Sequence, residues 1–362
     1  MTDSPAFEGK AKVADIALIA FTEQGCDLAV RLAEALRGEG EGAHAATVAG
    51  PERFAEPCGI EAYESLDAWT REAFATRDAL VFVSVTGIAV RAIAPYVKDK
   101  FSDPAVVSVD ERGQFAVPLL SGHVGGANDL ARQVARIIGA RPVISTATDV
   151  NGLFAVDQWA REQGMVVVER DVAKKVSATL LAGNQVFFAS DFPVEGAMPE
   201  GVMPIGKGPL GICVTLNEWN NPFDETLHLV PRIVTVGAGC HRDQDSDDLR
   251  RGIAIALGRA SISPRAVRTL ASIDLKADEP AFHEIAEKNA WQLAFYSADE
   301  LNAVPGEFES SEFVRSITGT DNVCERAALA SGGTLLQGKQ KLEGVTVALA
   351  CDEFTVRFVK RT

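Results

Sequence analysis

Leu119-Leu120-Ser121-Gly122-His123-Val124-Gly125-Gly126-Ala127-Asn128-Asp129-Leu130 sets a hydroxyl, an imidazole, an amide and three glycines where a helix has to begin. From there Ala127, Leu130, Ala131, Val134, Ile137 and Ile138 recur at helical spacing, which predicts a helix over Gly126 to Ile138. The Ser-Gly-His-Val-Gly-Gly run is then the turn that feeds it. Adjacent glycines let a ligand approach the backbone. The open N–H groups and dipole of a helix start favour an anion, so a carboxylate or phosphate is the natural guest.

Outward from that turn, strands and helices alternate. Val13 to Thr22 reads as a strand, Gly25 to Leu36 as a helix, Leu80 to Val85 as a strand and Gly87 to Tyr96 as a helical stretch. Strands Ala105 to Asp110 and Pro142 to Thr146 flank the Gly126 helix, and this βαβ order predicts a mostly parallel sheet covered by helices. Further on, Phe154 to Glu162 and Asp171 to Leu181 read as helices, and Met165 to Val168, Val186 to Ser190 and Gly211 to Leu216 as strands. The Pro, Gly and Asn rich stretch from Phe192 to Pro222 leads to a boundary near His228 to Arg232. The last part alternates through strand Ile233 to Gly237, helices Asp247 to Leu257 and Pro280 to Asn289, strand Gln292 to Phe295 and helix Val323 to Ala330. It closes on a hairpin of Thr334 to Gln337 with Val345 to Ala350. The expected architecture is a multi-domain α/β protein of mostly parallel, Rossmann-like layers. An amino-terminal α/β domain over 13–140, a middle domain over 141–228 and a carboxy-terminal α/β domain over 229–362 are expected.

With 362 residues, 47% hydrophobic content and 31 glycines, the chain can bury several cores. Its apolar runs, such as Ile16 to Phe21 and Val81 to Val85, are strand length, and the polar Met1 to Lys12 lacks the apolar core of a signal peptide. A cytoplasmic protein without membrane contact is expected. Cys26, Cys58, Cys213, Cys240, Cys324 and Cys351 show no C-x-x-C pairing, which argues against a zinc site or a disulfide framework. A net charge of −15 weighs against nucleic acid as a partner, because binding it needs a basic face. An anionic ligand has to find a local basic patch. Arg91, Lys98 and Lys100 are the concentration nearest the turn, although without the neighbouring motifs a solvated helix face is the better reading of them.

Other constellations are weaker. Gly237-Ala238-Gly239-Cys240, between a strand and a helix, invites a dinucleotide reading that fails at Arg242, where the third glycine would fall. A tight turn that binds an anion, or nothing, remains. Asp243, Asp245 and Asp247 imitate the opening of a calcium loop, but Asp248 and Ala254 stand where glycine and glutamate are needed. A helix start capped by Asp245 or Ser246 fits better. No metal quartet emerges from the five histidines. His123 beside Ser121 suggests a base or a ligand contact, since side chains two apart on a turn need not meet. Ser145-Thr146-Ala147-Thr148-Asp149 ends a strand with hydroxyls that suit a carboxylate or a turn. If the turns after Val85, Leu120 and Ser145 leave one sheet edge, then Thr86, Arg91, His123, Asn128 and Thr146 converge on a single ligand.

Thr86-Gly87-Ile88-Ala89-Val90-Arg91-Ala92-Ile93-Ala94-Pro95, Lys100 with Asp103-Pro104-Ala105-Val106-Val107, Leu119 to Asn128, and Thr146-Ala147-Thr148-Asp149 make a specific combination. Together they resemble the amino-terminal and middle signatures of the cobalt-precorrin-5A hydrolase family, of the cobalamin route that inserts cobalt early. Val236-Gly237-Ala238-Gly239-Cys240, Ala271-Ser272-Ile273-Asp274-Leu275-Lys276 and Asn322-Val323-Cys324-Glu325-Arg326-Ala327-Ala328 also resemble the small stand-alone protein of the aerobic route. The likeness runs from Val13 to the end and implies a full-length, three-part member.

The resemblance implies hydrolysis of the δ-lactone of cobalt-precorrin-5A, a contracted tetrapyrrole, with release of acetaldehyde to give cobalt-precorrin-5B. The cobalt belongs to the substrate, so no cofactor and no metal site in the protein is implied. His123 would then be the base, while Ser121 and the backbone N–H groups of Gly125 and Gly126 would meet the oxyanion. Thr86, Gly87, Arg91, Lys100, Asn128, Thr146 and Thr148 would hold the substrate, the charged ones through its acetate and propionate arms. Asp129, Asp149 and Glu325 stay open as alternative proton carriers. The implied partner is the anionic tetrapyrrole, with contacts to neighbouring pathway enzymes left open. The alternative is a carrier that binds a tetrapyrrole intermediate and releases it unchanged. A nucleotide-dependent enzyme is disfavoured by the lack of a Walker loop or a complete Rossmann fingerprint.

Overall fold

The computed structural model describes residues 14–38, 43–99, 102–122, 125–146, 153–241, 245–342 and 344–358. Lys100, His123, Thr148, Asp149, Arg242 and Asp243 lie outside the described residues. The chain forms two compact units, Met1–Gln158 and Trp159–Thr362, and the division falls inside a helix.

In the first unit the order is β1 (Asp15–Ala20), α1 (Glu23–Arg37), β2 (Ala45–Gly50), α2 (Glu52–Cys58), β3 (Glu61–Ala62), α3 (Leu66–Thr76), β4 (Ala79–Val83) and α4 (Thr86–Ile93). It continues with β5 (Ala105–Val109), β6 (Phe115–Leu120), α5 (Ala127–Ile138) and β7 (Arg141–Pro142). These seven strands form one sheet in the order β3-β2-β1-β4-β5-β6-β7. Every residue of β4 and β5 is buried, as unbroken apolar runs are when helices cover both faces of a parallel sheet. On one face, Cys26, Ala29, Leu32, Ala33 and Leu36 of α1 and Leu130, Ala131 and Val134 of α5 meet Ile16, Leu18 and Val81. On the other, Ala73 of α3 and Ala89 and Ile93 of α4 meet Ala17, Ile19 and Phe82. Thr22 caps α1 by accepting from the Gly25 N–H at 3.1 Å.

The direction of β6 changes the functional reading. β1 to β5 are mutually parallel, but β6 runs antiparallel to β5, with Leu120 opposite Val106 and Ala116 opposite Val109. β7 follows β6 in parallel. Pro118 within β6 speaks against a strand between two neighbours, and its sequence reads as loop. The ladder slips register beside it, a bulge that accommodates the missing N–H. The strand expected over Pro142 to Thr146 is shorter and earlier. After Pro142 one further bond joins Val143 N–H to the Ala116 carbonyl at 2.9 Å, and the chain leaves the sheet.

The second unit continues the dividing helix α6 (Val156–Glu162) with β8 (Met165–Val167), α7 (Arg170–Leu181), β9 (Val186–Ser190), β10 (Val194–Gly196), β11 (Val202–Met203), β12 (Leu210–Val214), β13 (Glu225–Pro231) and β14 (Val234–Cys240). Then come α8 (Ser246–Arg259), β15 (Val267–Ile273), α9 (Pro280–Asn289), β16 (Gln292–Tyr296), α10 (Ala298–Ala303), α11 (Glu312–Thr318), α12 (Cys324–Leu329), β17 (Thr334–Leu342), β18 (Val345–Cys351) and β19 (Val356–Phe358). Two five-stranded sheets result, ordered β11-β9-β12-β13-β8 and β16-β15-β14-β18-β17, while β10 pairs with β19. The expected hairpin is β17 with β18. The mostly parallel, helix-flanked α/β class read from the sequence is the class observed.

Candidate functional site

At the end of β6, Ser121 is buried and takes φ 56°, a left-handed backbone unusual for a residue with a side chain. Its hydroxyl donates to the Asp103 carbonyl at 3.0 Å. The Asp103 carboxylate in turn accepts the N–H groups of Lys98 and Asp99 at 2.8 and 3.0 Å. One hydrogen-bonded brace therefore runs from the loop before β5 to the turn after β6. Sequence reading missed Asp103 as a site residue, although its position before Pro104 marks it as a turn former.

The same turn closes on α5. Gly126 takes φ 84° as the residue before the helix, and Ala127 and Asn128 donate their N–H groups to the carbonyls of Ser121 and Gly122 at 3.1 and 3.0 Å. A Cβ on Gly125 would stand 2.3 Å from the Ser121 Cβ, so only glycine lets the chain pass there. Asn128 is fully buried, and its amide donates to the Thr146 hydroxyl at 3.0 Å. Ser121, Gly125, Gly126, Asn128 and Thr146 are thus brought together. His123 belongs to this turn by sequence but lies outside the described residues.

Thr86, Gly87 and Arg91 belong elsewhere. Thr86 follows β4 and shares a hydrogen bond with Ser108 of β5 at 3.2 Å, and the Arg91 guanidinium folds back on the Gly87 carbonyl at 3.3 Å. Because β6 is antiparallel to β5, the turn after β4 and the turn after β6 leave opposite edges of the sheet. Ser108 and Asp103, which mark the two edges, are five residues apart, roughly 16 Å along extended chain. The expected convergence of all these turns on one edge is overturned. Its cause is an unforeseen strand, which turned a crossover into an antiparallel neighbour.

Ser121 also departs from the oxyanion role expected for it. A hydroxyl has one proton, and this one is given to Asp103. Asp129, an alternative proton carrier, is occupied by Arg132 at 3.2 Å and by the Gln158 amide at 3.1 Å. Glu325 is buried and accepts the Lys339 N–H at 2.8 Å and the Asn322 amide, which ties the start of α12 to a register slip in β17.

In the carboxy-terminal sheet, Gly237 and Gly239 lie within β14 instead of in a turn beyond it. A Cβ on Gly237 would fall 1.9 Å from the Cys324 carbonyl, so the glycine admits α12 onto the strand. Asp245 caps α8 through the Asp247 N–H at 2.7 Å, as expected of one of the two candidates.

One cluster escaped the sequence reading. Cys213 of β12 lies opposite His228 of β13, and His228 Nδ1 meets Glu169 at 2.8 Å, an order that imitates a nucleophile, base and orienting acid. The chemistry is absent. Burial, then the charges of Asp191 and Glu169, push the Cys213 thiol up to about 12, and His228 Nε2 is engaged by the Asn220 carbonyl at 2.9 Å. Among the described residues, no group of three or more His, Cys, Asp or Glu side chains could hold a metal ion, and no helix is long and apolar enough to cross a membrane.

Comparison with known proteins places the chain. Residues 68–149 match the family model "Cobalamin synthesis G N-terminal", 154–231 "Cobalamin biosynthesis central region" and 234–350 "Cobalamin synthesis G C-terminus". The chain is 38% identical over 293 residues to the cobalt-precorrin-5A hydrolase of Salmonella typhimurium, covering 77% of this chain and 83% of that protein. It is 31% identical over 297 residues to the cobalt-precorrin-5A hydrolase of Priestia megaterium, covering 76% and 79%. A shorter likeness, 34% over 132 residues, joins 35% of this chain to 85% of Protein CobE of Sinorhizobium sp.. With all three parts matched and relatives of this identity covered over most of their length, the chain belongs to the cobalt-precorrin-5A hydrolase family.

Proposed function

We propose that this chain opens the δ-lactone of cobalt-precorrin-5A and releases acetaldehyde, giving cobalt-precorrin-5B. The observation that carries the proposal is the 38% identity to a hydrolase of that name across 83% of its length. Water adds to the acyl carbon and the acyl C–O bond breaks, leaving a carboxylic acid and an alcohol on the two-carbon fragment. Removal of the alcohol proton lets the carbon–carbon bond to the macrocycle break. The electron pair passes to the macrocycle, a proton quenches it, and acetaldehyde leaves.

The turn between β6 and α5 suits the first step. It stands at a helix start, where developing negative charge is stabilised, and the backbone N–H groups of Gly125 and Gly126 are the proposed oxyanion donors. Thr146, half-buried, supplies a polar contact beside them, while Asn128, fully buried, positions it through its amide instead of reaching the substrate as expected. Ser121, bound to Asp103, positions the turn. His123 is the proposed base by its place between Gly122 and Gly125. Thr86, Gly87 and Arg91, on the other sheet edge, stand outside this reacting centre.

Anaerobic incubation of the purified protein with cobalt-precorrin-5A, trapping acetaldehyde and following the macrocycle mass, tests the proposal. Acetaldehyde is expected from the wild type, and His123→Ala should lower its rate of formation by about 100-fold or more. Tight binding without acetaldehyde would overturn the hydrolase reading. Equal release from both proteins would move the base elsewhere.

A further inference from the structure

His228 lies in a buried part of β13 with acceptors on both sides of its ring. Nδ1 meets a Glu169 carboxylate oxygen at 2.8 Å and Nε2 meets the Asn220 carbonyl at 2.9 Å, while the His228 backbone N–H donates to the other Glu169 oxygen at 2.7 Å. A neutral imidazole has one N–H and one lone pair, so it satisfies only one of these acceptors. Only the imidazolium donates to both. Glu169 is the residue before α7, where a side chain usually caps the helix, yet its carboxylate caps nothing and turns to His228.

The part of the chain held by this ring is the loop between β12 and β13. Its first half is tied down independently. Asn217 N–H donates to Thr215, Ser263 N–H donates to the Leu216 carbonyl at 2.7 Å, and Glu218 pairs with Arg265 at 2.8 Å. Its second half is tied to the first by the Trp219 N–H on Asn217 Oδ1 at 3.1 Å and the Asn220 N–H on the Asn217 carbonyl at 3.3 Å, and it meets β13 through the Asn220 carbonyl on the His228 ring. Next to Asn220, Trp219 presents its ring 56% exposed, whereas Trp159 and Trp291 are buried.

We propose that His228 is a proton-operated latch: charged, its Nε2–H holds the Asn220 carbonyl, and loss of that proton to solvent releases the Trp219–Pro222 half of the loop. The Nδ1 proton stays, because its bond to a carboxylate is charge-assisted and the stronger of the two. The groups facing the ring agree. Glu169 approaches from the start of α7, and Glu218 acts from the loop with its charge shared by Arg265. Cys213 on β12 is held as a neutral thiol, and Asp191 behind it is bound by Thr215. Burial opposes the imidazolium, but the hydrogen bond from Glu169, the Asn220 carbonyl and the carboxylate charges outweigh it and hold its titration above the usual histidine range.

Nitrogen-15 NMR of the full-length protein reads the state of the ring directly. Both His228 nitrogens should be protonated at pH 7, and a neutral-tautomer signature there would overturn the proposal. The Trp219 emission, taken as wild type minus Trp219→Phe, should shift to the red and gain acrylamide quenching as pH rises through the His228 titration. Glu169→Gln should move that midpoint down by about one pH unit or more, and His228→Gln should abolish it. A transition that survives in His228→Gln, or Trp219 emission that stays flat while His228 titrates, refutes the latch. Should His228→Gln fail to fold, the wild-type NMR and the Glu169→Gln shift still decide.

Discussion

Ser121 keeps a left-handed backbone, which costs a non-glycine residue about 1–2 kcal/mol, and recovers about 1 kcal/mol through its bond to Asp103. The two contributions separate by substitution. Ser121→Ala keeps the strain and loses the bond, leaving the Asp103 carbonyl without its donor, and should destabilise by about 1–2 kcal/mol. Ser121→Gly loses the bond but relieves the strain, so its stability should stay within about 1 kcal/mol of wild type. Urea denaturation ranks the three. If Ser121→Gly were the least stable, the backbone at this turn would not be strained. Because the Ser121 proton is spent on Asp103, both variants should also alter turnover only through the shape of the turn, leaving a larger loss to His123→Ala.

Among the elements, β14 and α12 show how a glycine motif can be misread. Gly237 looks like part of a ligand-binding turn, yet the space it leaves is filled by the backbone of α12, with Ala328 N 2.6 Å from where a Cβ would stand. Gly237→Ala should push α12 off the sheet and cost at least about 2 kcal/mol. Gly258, near the end of α8, has nothing within 4 Å of that position. Gly258→Ala should stabilise by up to about 1 kcal/mol, because alanine favours helix. Thermal unfolding of the pair checks both signs. β6 is bounded by turns and carries Pro118, so its local signal says loop, and only its neighbours β5 and β7 make it a strand.

For the whole molecule, the pair of buried His228 and half-buried Glu169 sets a window of stability. The His228 titration is raised, so its contribution is complete below the unfolded histidine value and is lost as pH climbs through the folded one. Burial works against the Glu169 charge, but its hydrogen bonds and attraction to His228 lower its titration overall, so that contribution is lost as pH falls through the folded value. Denaturation midpoints measured across pH should therefore form a plateau that falls on both sides, and Glu169→Gln should flatten the alkaline fall. A midpoint rising steadily through alkaline pH would contradict this. The βαβ order, the helix after Gly126, the strand Val186–Ser190, the helix Pro280–Asn289 and the family were legible in the chain, because apolar periodicity and short motifs are local properties. The turn from Ser121 into the helix was legible for the same reason. Its separation from Thr86 and Arg91, the brace from Asp103, and the ion pair at His228 were not. They depend on which way one strand runs and on side chains distant in sequence, 18 residues apart for Ser121 and Asp103 and 59 for Glu169 and His228. Local pattern determined which elements form; only the pairing of strands in the folded sheet decided which residues share an edge.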